Sequence, residues 1–492
     1  MAIFTVTNLN NDGAGSLREA IKDASAGDTV EIQVSGTIAL TSQINVYDSD
    51  VAIEGNGITL DGQNATRIFN VGNVTGVKID NIRFCNGKAT VPQSGKGKGA
   101  GGAIRCASNS EIAVSNCSFE GNSCEEWGGG AIRIVKRSIL TLNHCSFVNN
   151  RSFALEHNSG GAIAAHGYCE LDISDCTFEE NHGITGGAIN VGATWVKLRR
   201  STFRNNDTND YLESGLAGND TYGYGMGGAI YTDGLGGTDS HGGGSPGKEA
   251  LIEDCLFEGN RAFGKGGACF WFGYGANGET SIIRGCTFRN NTVKFDRRPN
   301  TPAKEKSQGG ALRINDLPTK IDRCLFENNS CCDSHACHDE GGAIFAGRAD
   351  SELTVLNSIF RKNSGTLGSA IATHNPTTLF HCTVADSETE AIYTNPGRVK
   401  GISLRGCIFK DATSVSPALI DKNPGEINAQ SCIEYPRACF GSSMNSDPML
   451  DEECSPQDGS AAIGTCESFG VMTDYRGQTR GERADIGAIC KG

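Results

Sequence analysis

The segment Glu170-Leu-Asp-Ile-Ser-Asp-Cys-Thr-Phe-Glu-Glu-Asn181 decides the fold, because its pattern recurs along the chain. Apolar and polar residues alternate from Leu171 to Phe178, and the alternation slips by one position at Ser174-Asp175. A period of two indicates β-strands, and the slip predicts a corner between two of them. Because Cys176 and Phe178 are two residues apart, both side chains point to the same face, which is the core.

Copies of this segment follow the pattern Cys-x-Phe-x-x-Asn, and a Gly-Gly-Ala-aliphatic tetrad precedes them. Serine replaces the cysteine at Ser201 and Ser358. The predicted structural ladder consists of Phe119, Phe147, Phe178, Phe203, Phe257, Phe288, Phe326 and Phe360, with Asn122, Asn150, Asn181, Asn206, Asn260, Asn291, Asn329 and Asn363. The shortest interval is roughly 25 residues and insertions lengthen the others, which is typical of a solenoid.

The repeated polar and small residues predict the corners of each coil. Asparagine tolerates the left-handed conformation of a sharp turn, and stacked asparagine side chains can hydrogen-bond along the stack. The glycine pair of each tetrad predicts a second corner where chains approach closely. The sequence therefore predicts an all-β fold, a right-handed parallel β-helix of about 12 coils with three short strands each.

The two ends of the solenoid differ from its middle. Ser16 and Glu19 form a capping box, which predicts a short amphipathic helix over residues 16–25 on the first coil. Strands are predicted at 29–34, 37–40, 51–54, 58–60 and 77–84. The predicted regions are an N-terminal strand and capping helix at 1–28, the β-helix at 29–432 and an irregular C-terminal cap at 433–492. That cap carries Cys439, Cys454, Cys466 and Cys490.

Both termini resemble those of secreted bacterial β-helix proteins. Gly15-Ser-Leu-Arg-Glu-Ala-Ile21 resembles the CSLREA-type N-terminus, with glycine in place of the family's leading cysteine. Thr473-Asp-Tyr-Arg-Gly-Gln478 and Ala484-Asp-Ile-Gly-Ala-Ile489 resemble the terminal segment of choice-of-anchor Q proteins. The repeats are similar to those of chlamydial polymorphic outer-membrane proteins. These resemblances imply a pectin-lyase-like β-helix with a secreted or surface role, and they carry no catalytic residues over.

Composition narrows the partners and the compartment. The net charge of −14 disfavours nucleic acid and leaves Ca²⁺ as a candidate ligand. No run of 18 apolar residues is present, so no membrane span is predicted. We expect an extracellular or cell-surface protein, although no signal peptide is visible. Nine of the 21 cysteines fall in the strand register as small hydrophobic residues, while the other twelve include candidates for disulfides, chiefly the four in the C-terminal region.

Insertions between coils predict where a ligand would bind, since solenoids gather their loops on one face. The insertions cover 207–226, 231–249, 292–308 and 330–340. One interpretation is a glycan cleft with tyrosine platforms, basic residues for uronates and an acid/base or Ca²⁺ site. Its candidates are Tyr211, Tyr222, Tyr224, Asp233, Asp239, His241, Arg297 and Arg298. The other interpretation is a set of solvated loops on a structural rod.

A second cluster lies in the last insertion. Thiol and imidazole side chains at these spacings can hold Zn²⁺, and the alternative is a loop fixed by a disulfide. The candidates are Cys331, Cys332, His335, Cys337 and His338.

Three functions follow from these patterns. The first is a non-catalytic extracellular or surface protein with a structural, adhesive or assembly role, interacting through the loops of residues 205–340. Its partner would be a glycan, a protein, or further copies in a homo-oligomer or filament. The second is a polysaccharide lyase, hydrolase or epimerase acting on an acidic glycan, and the third is a metal- or redox-linked protein.

Overall fold

The computed structural model forms two compact units, Met1–Ala250 and Leu251–Gly492. It describes residues 1–91, 99–154, 159–208, 225–235, 249–274, 278–294, 307–331, 339–347, 351–387, 389–394, 401–411 and 427–491. In both units parallel strands of successive coils pair in register, so the fold is a parallel β-helix. Among the described residues, no helix is both long enough and apolar enough to cross a membrane.

Each complete coil contributes to four ladders of parallel strands, one more than the three predicted. They are named here the tetrad ladder, which follows the Gly-Gly-Ala tetrads, the long ladder, the phenylalanine ladder and the short ladder. One coil runs through Ile132–Val135, Ile139–Asn143, Ser146–Val148 and Arg151–Ser152 in that order. The two-residue strands of the short ladder are too brief to carry a period of two, which is why the sequence did not predict them.

In the first unit, the long ladder comprises Ile3–Val6, Thr29–Ile32, Ala52–Asp61, Val77–Cys85, Glu111–Ser115, Ile139–Asn143, Glu170–Ser174 and the end of Ile189–Arg199. The phenylalanine ladder comprises Thr37–Ala39, the ends of Ala52–Asp61 and Val77–Cys85, Ser118–Glu120, Ser146–Val148, Thr177–Glu179 and Thr202–Arg204. The short ladder comprises Lys88–Ala89, Ser123–Cys124 and Arg151–Ser152. The tetrad ladder comprises Ile44–Val46, Phe69–Val71, Ile104–Cys106, Ile132–Val135, Ile163–His166, the start of Ile189–Arg199 and Ile230–Leu235.

In the second unit, the long ladder comprises Ala250–Glu253, Ser281–Arg284, Thr319–Asp322, Leu353–Leu356, Thr377–Phe380, Ile402–Arg405 and Ile427–Gln430. The phenylalanine ladder comprises Leu256–Glu258, Thr287–Arg289, Leu325–Glu327, Ile359–Arg361, Thr383–Ala385, Ile408–Lys410 and Ile433–Tyr435. The short ladder comprises Arg261–Ala262, Thr292–Val293, Ser330–Cys331 and Ser364–Gly365, and the tetrad ladder comprises Cys269–Phe272, Leu312–Asn315, Ile344–Gly347, Ile371–Thr373 and Ile392–Tyr393. The described long ladder thus has eight rungs in the first unit and seven in the second, more than the predicted 12 or so, because the first and last coils lack the full motif.

The N-terminal helix spans Leu17–Asp23, which confirms the predicted capping helix at a shorter length. Ser16 Oγ accepts a hydrogen bond from the backbone N–H of Glu19 at 3.3 Å, as an N-cap does. Leu17, Ala20 and Ile21 are buried on the first strands. This apolar face covers core that would otherwise be open to water.

The phenylalanine rings fill the core as parallel stacks. In the first unit Phe119 and Phe147 lie 4.6 Å apart between ring centroids with an interplanar angle of 3°. In the second unit the rings of Phe288 and Phe326 are 5.0 Å apart at the same angle. Phe84, which the repeat pattern did not identify, extends the first stack at 4.9 Å from Phe119.

Buried asparagines form a ladder beside each phenylalanine stack. Asn150 Nδ2 donates to Asn181 Oδ1 and to the carbonyl of Phe119, both at 3.0 Å. The sequence predicts the left-handed conformation at the ladder asparagine itself. In the structure the residue before it adopts that conformation, such as Asn149 with φ of 52°. The left-handed residue makes the turn, and the following asparagine is then directed inward, where its amide satisfies the bent backbone.

The glycine pairs lie where backbones approach too closely for a side chain. A Cβ atom on Gly130 would lie 2.2 Å from the carbonyl oxygen of Gly161 in the next coil. A Cβ atom on Gly129, which has φ of +70°, would lie 2.1 Å from the carbonyl oxygen of Ile132. Either contact is shorter than real Cβ atoms show, so both positions need glycine.

All nineteen cysteines among the described residues are thiols. Those in the strand register are buried, and Cys176 Sγ accepts a hydrogen bond from the backbone N–H of Cys145 at 3.4 Å. The disulfides expected in the C-terminal region are not present, since Cys439, Cys454, Cys466 and Cys490 are unbridged. Packing rather than covalent bonding therefore holds that region.

The C-terminal region lies along the outer side of the second unit's phenylalanine ladder. One apolar cluster joins Ile359 and Ala385 of the ladder to Cys454, Ala488 and Ile489. A second cluster joins Ile408 and Ile433 to Ala462, Cys466 and Ile486. The first position of three of these strands, which faces outward, is apolar at Ile359, Ile408 and Ile433, whereas the matching positions of the first unit are polar: Ser118, Ser146, Thr177 and Thr202.

Candidate binding site

Most of the predicted site residues lie outside the described part of the chain. They are Asp239, His241, Arg297, Arg298, Cys332, His335, Cys337 and His338, with Tyr211, Tyr222 and Tyr224. Asp233 is described and lies exposed on the strand Ile230–Leu235. Cys331 is fully buried and packs with Ala262 and Val293 in the short ladder. Among the described residues, no three His, Cys, Asp or Glu side chains are grouped as a metal site would require.

A row of polar residues follows the outer side of the first unit's tetrad ladder. Each strand there buries its first and third residues, so the second residue faces outward. The row is named here the polar row and consists of Asn45, Asn70, Arg105, Arg133, Asn190 and Tyr231, with Ala164 between the last arginine and Asn190. Neighbouring coils are about 4.8 Å apart, so Arg133 and Asn190 lie two coils apart and the other neighbours in the row lie one coil apart.

A cavity of about 420 Å³ opens beside the first residues of this row. Its lining consists of Gln43, Ala65, Thr66, Arg67, Asn70, Lys88, Ala89, Thr90 and Arg105. Three of these side chains are cationic, and the lining contains no carboxylate. A cavity of this composition attracts anions, in a chain whose net charge is −14.

Neutral backbone and amide oxygens fix Arg67 in the cavity. Its Nε donates to the carbonyl of Gly101 at 3.0 Å, and its Nη1 and Nη2 donate to Gln43 Oε1 at 2.8 Å and the carbonyl of Ala100 at 2.9 Å. Burial and the charge of Arg105 lower the pKa of Arg67 to about 10. The guanidinium therefore stays charged at neutral pH and contributes positive potential to the cavity.

Arg105 is held by the amides of the polar row. Its Nη1 donates to Asn70 Oδ1 at 3.2 Å, and Asn70 Nδ2 donates in turn to Asn45 Oδ1 at 3.2 Å. Lys88 approaches Glu125 only to 3.9 Å, with both side chains more than a third exposed, at 36% and 39%. Such a contact neutralises little of the lysine charge.

Farther along the row, Arg133 forms a buried network. Its Nη1 donates to the carbonyl of Trp127 at 2.5 Å and to His166 Nδ1 at 2.6 Å. Because that nitrogen accepts, His166 carries its proton on Nε2, which donates to Asn190 Oδ1 at 2.7 Å. Burial and the Arg133 charge lower the pKa of His166 well below its usual value. Both ring nitrogens are thus engaged in structure.

This geometry favours recognition over acid/base chemistry. His166 has no lone pair left to accept a proton from a substrate. The carboxylate of Asp233 is in register with Gly192 and His166, two rungs and roughly 10 Å of ladder from the histidine. Within the described part of this ladder, His166 and Asp233 therefore do not form an acid/base pair, and the polar row presents amides and cations.

The sequence offered one signal for this site that the loop analysis missed. Arg105, Arg133, Asn190 and Tyr231 each directly follow a Gly-Gly-Ala-Ile tetrad, at the position where a strand points outward. The tetrads predict corners, and that prediction does not extend to the residue that follows each of them.

Comparisons with known proteins identify the fold. The family model for the right handed beta helix region matches residues 229–409, so the parallel β-helix is right-handed. A comparison with curated proteins finds no match.

Three solved structures are similar to this chain at low sequence identity. A pectate lyase is 12% identical with a TM-score of 0.29, covering 100% of this chain and 97% of its own. A PL6 alginate lyase in complex with a trisaccharide is 11% identical with a TM-score of 0.46, covering 92% and 90%. The surface adhesin PfbA of Streptococcus pneumoniae is 11% identical with a TM-score of 0.30, covering 81% and 87%. These likenesses are of fold alone.

Proposed function

We propose that this chain is a non-catalytic protein of the cell exterior or cell surface that binds an acidic glycan along the polar row. The observation that carries the proposal is the cavity lined by Arg67, Lys88 and Arg105 without a carboxylate. Three cationic side chains in a lining without a carboxylate give the cavity a positive potential within an acidic chain, and such a site attracts anions.

The side chains suit a sugar polymer that carries carboxylate or sulfate groups. Arginine presents a planar fork that matches these anions with two parallel hydrogen bonds. Gln43, Asn45 and Asn70 offer amide donors and acceptors for hydroxyl groups. A polymer lying along the first coils of the row meets Asn45, Asn70 and Arg105 in succession, so an adhesive or assembly role follows from repeated weak contacts.

An enzyme acting on an acidic glycan is the second candidate function. The observation in its favour is Asp233, an exposed carboxylate on the same ladder as Arg133 and His166. The observation against it is that both ring nitrogens of His166 are already hydrogen-bonded within the protein. Incubation with pectate, alginate and a glycosaminoglycan tests this candidate: absorbance of unsaturated products reports a lyase, new reducing ends report a hydrolase, and a binding protein gives neither.

Binding to immobilised heparin and to polygalacturonate tests the proposal. We expect the full chain to bind at least one of them, and Arg105→Gln to weaken that binding about tenfold. Lys78→Gln removes one positive charge from the exposed side of the long ladder and serves as the matched control. Equal weakening by both variants, or no binding by the unmodified chain, contradicts the proposal.

A further inference from the structure

Tyr47 is a large aromatic side chain that the fold leaves exposed next to the polar row. It follows the strand Ile44–Val46, and 63% of it is accessible to solvent. Its hydroxyl lies 3.5 Å from Asn70 Nδ2, and Asn70 Oδ1 accepts the hydrogen bond of Arg105. Asn70, which lines the cationic cavity, therefore contacts both the Tyr47 hydroxyl and Arg105.

Gly72 on the neighbouring coil leaves the space that the ring of Tyr47 occupies. A Cβ atom on Gly72 would lie 2.7 Å from Tyr47 Cδ1, so the ring rests directly on the glycine backbone. One face of the ring is supported by the coil, and much of the remainder faces solvent. Tyrosine has only two side-chain torsions, so a supported ring loses little further entropy when a ligand packs on it.

We infer that Tyr47 is a stacking platform for a sugar ring. The ligand of the polar row is therefore a polyanion with a carbohydrate backbone, and negative charge on some other backbone does not suffice. The inference rests on the proposed function, because the cationic cavity supplies the anion binding. A pyranose presents a face of C–H groups that packs on an aromatic ring, while its acidic groups reach Arg105 and Lys88. A linear polyphosphate offers the same charge without such a face.

Two kinds of variant test the platform. Tyr47→Ala removes the ring, and Gly72→Ala displaces it, because the added methyl group would meet Cδ1. Gly72 has no positive φ, so alanine strains no backbone there. Tyr47→Phe keeps the ring and loses only the hydroxyl contact with Asn70. Phe153→Ala, which removes a ring that is 48% exposed and does not line the cavity, is the matched control.

The probes are a size-defined heparin oligosaccharide and a linear inorganic polyphosphate of similar charge, with Kd measured by calorimetry. We expect Tyr47→Ala and Gly72→Ala to weaken oligosaccharide binding about tenfold and to leave polyphosphate binding within about twofold. Tyr47→Phe and Phe153→Ala should bind both probes as the unmodified chain does. Arg105→Gln should weaken both probes.

The outcomes separate this inference from the proposed function. If Tyr47→Ala binds the oligosaccharide normally, or weakens both probes equally, the platform is overturned while the anion site stands. If the unmodified chain binds neither probe, the proposed function fails and the platform with it. Selective loss of oligosaccharide binding in both Tyr47→Ala and Gly72→Ala supports the inference.

Discussion

Arg133 donates a hydrogen bond to His166 Nδ1 at 2.6 Å, a contact that exists only while the histidine is neutral. A second buried histidine, His381, has its pKa lowered to about 4, first by burial and then by the charge of Arg480. A histidine with a lowered pKa binds fewer protons in the folded state than in the unfolded chain. Its contribution to stability is therefore present above pH 6.5 or so and is lost as the pH falls.

The first prediction concerns this loss at acidic pH. For His381 the window runs from about pH 6.5 down to pH 4, and for His166 it begins at the same upper limit. Thermal unfolding between pH 7 and pH 4 should show a smaller decline for His381→Gln than for the unmodified chain. A variant that declines as steeply as the unmodified chain contradicts the prediction.

The second prediction distinguishes the two residues of each asparagine corner. Asn150 Oδ1 accepts from the backbone N–H of Asn122 at 3.1 Å, so Asn150→Ala leaves a buried donor without its partner. We expect a loss of about 3 kcal/mol in the free energy of unfolding, measured by urea denaturation. Asn149→Gly should cost less than about 0.5 kcal/mol, because glycine readily adopts the left-handed conformation of that position. Similar losses for both variants would mean that the corner and the ladder are not separate functions.

The third prediction concerns the close approach of coils at the tetrads. A Cβ atom on Gly310 would lie 2.0 Å from the carbonyl oxygen of Gly342, which belongs to rigid backbone. Gly310→Ala should therefore destabilise the second unit by about 3 kcal/mol. Gly441→Ala is the control, since a Cβ atom there has nothing within 4 Å. A stable Gly310→Ala protein would show that the coils can separate at this corner.

The fold could be predicted from sequence because its core repeats. Phe119, Phe147 and Phe178 occupy equivalent places in successive coils, so the same packing constraint selects the same residue type several times along the chain. The short strands, such as Ser123–Cys124, give no periodic sequence signal, since two residues cannot show a period. The thiol state of Cys454 and Cys466 could not be predicted either, because spacing along the chain does not give the distance between sulfur atoms.

The candidate site was harder to predict because outward positions are not constrained by packing. Arg105, Arg133 and Asn190 share a row in space but have no common sequence pattern beyond the tetrad before them. The cavity also draws Arg67 and Lys88 from other parts of the coil, which only the register brings together. The insertions are therefore the feature of the sequence that suggests a binding site, whereas the polar row is recognised only in the structure.

The last prediction concerns the hold of the C-terminal region on the coils. Arg480 is 3% exposed, and its Nη2 donates to Asn357 Oδ1, at the corner between Leu353–Leu356 and Ile359–Arg361, and to the carbonyl of Gly487, both at 2.9 Å. Arg480→Met removes both contacts and leaves the buried oxygens unsatisfied, so we expect the C-terminal region to detach while the coils stay folded.

Thiol labelling measures that detachment directly, because Cys454 and Cys466 lie on the side of the region that packs against the coils and are only 4% and 5% exposed. Burial raises the pKa of both thiols to about 11, which suppresses the reactive thiolate further. We expect Arg480→Met to increase their labelling rate about tenfold or more, with the circular dichroism of the strands unchanged. Arg476→Gln is the control, since Arg476 pairs at 2.6 Å with Glu453, a side chain that is 75% exposed, and such a pair adds little stability. Equal labelling of the two variants would mean that the apolar clusters, and not Arg480, hold the region in place.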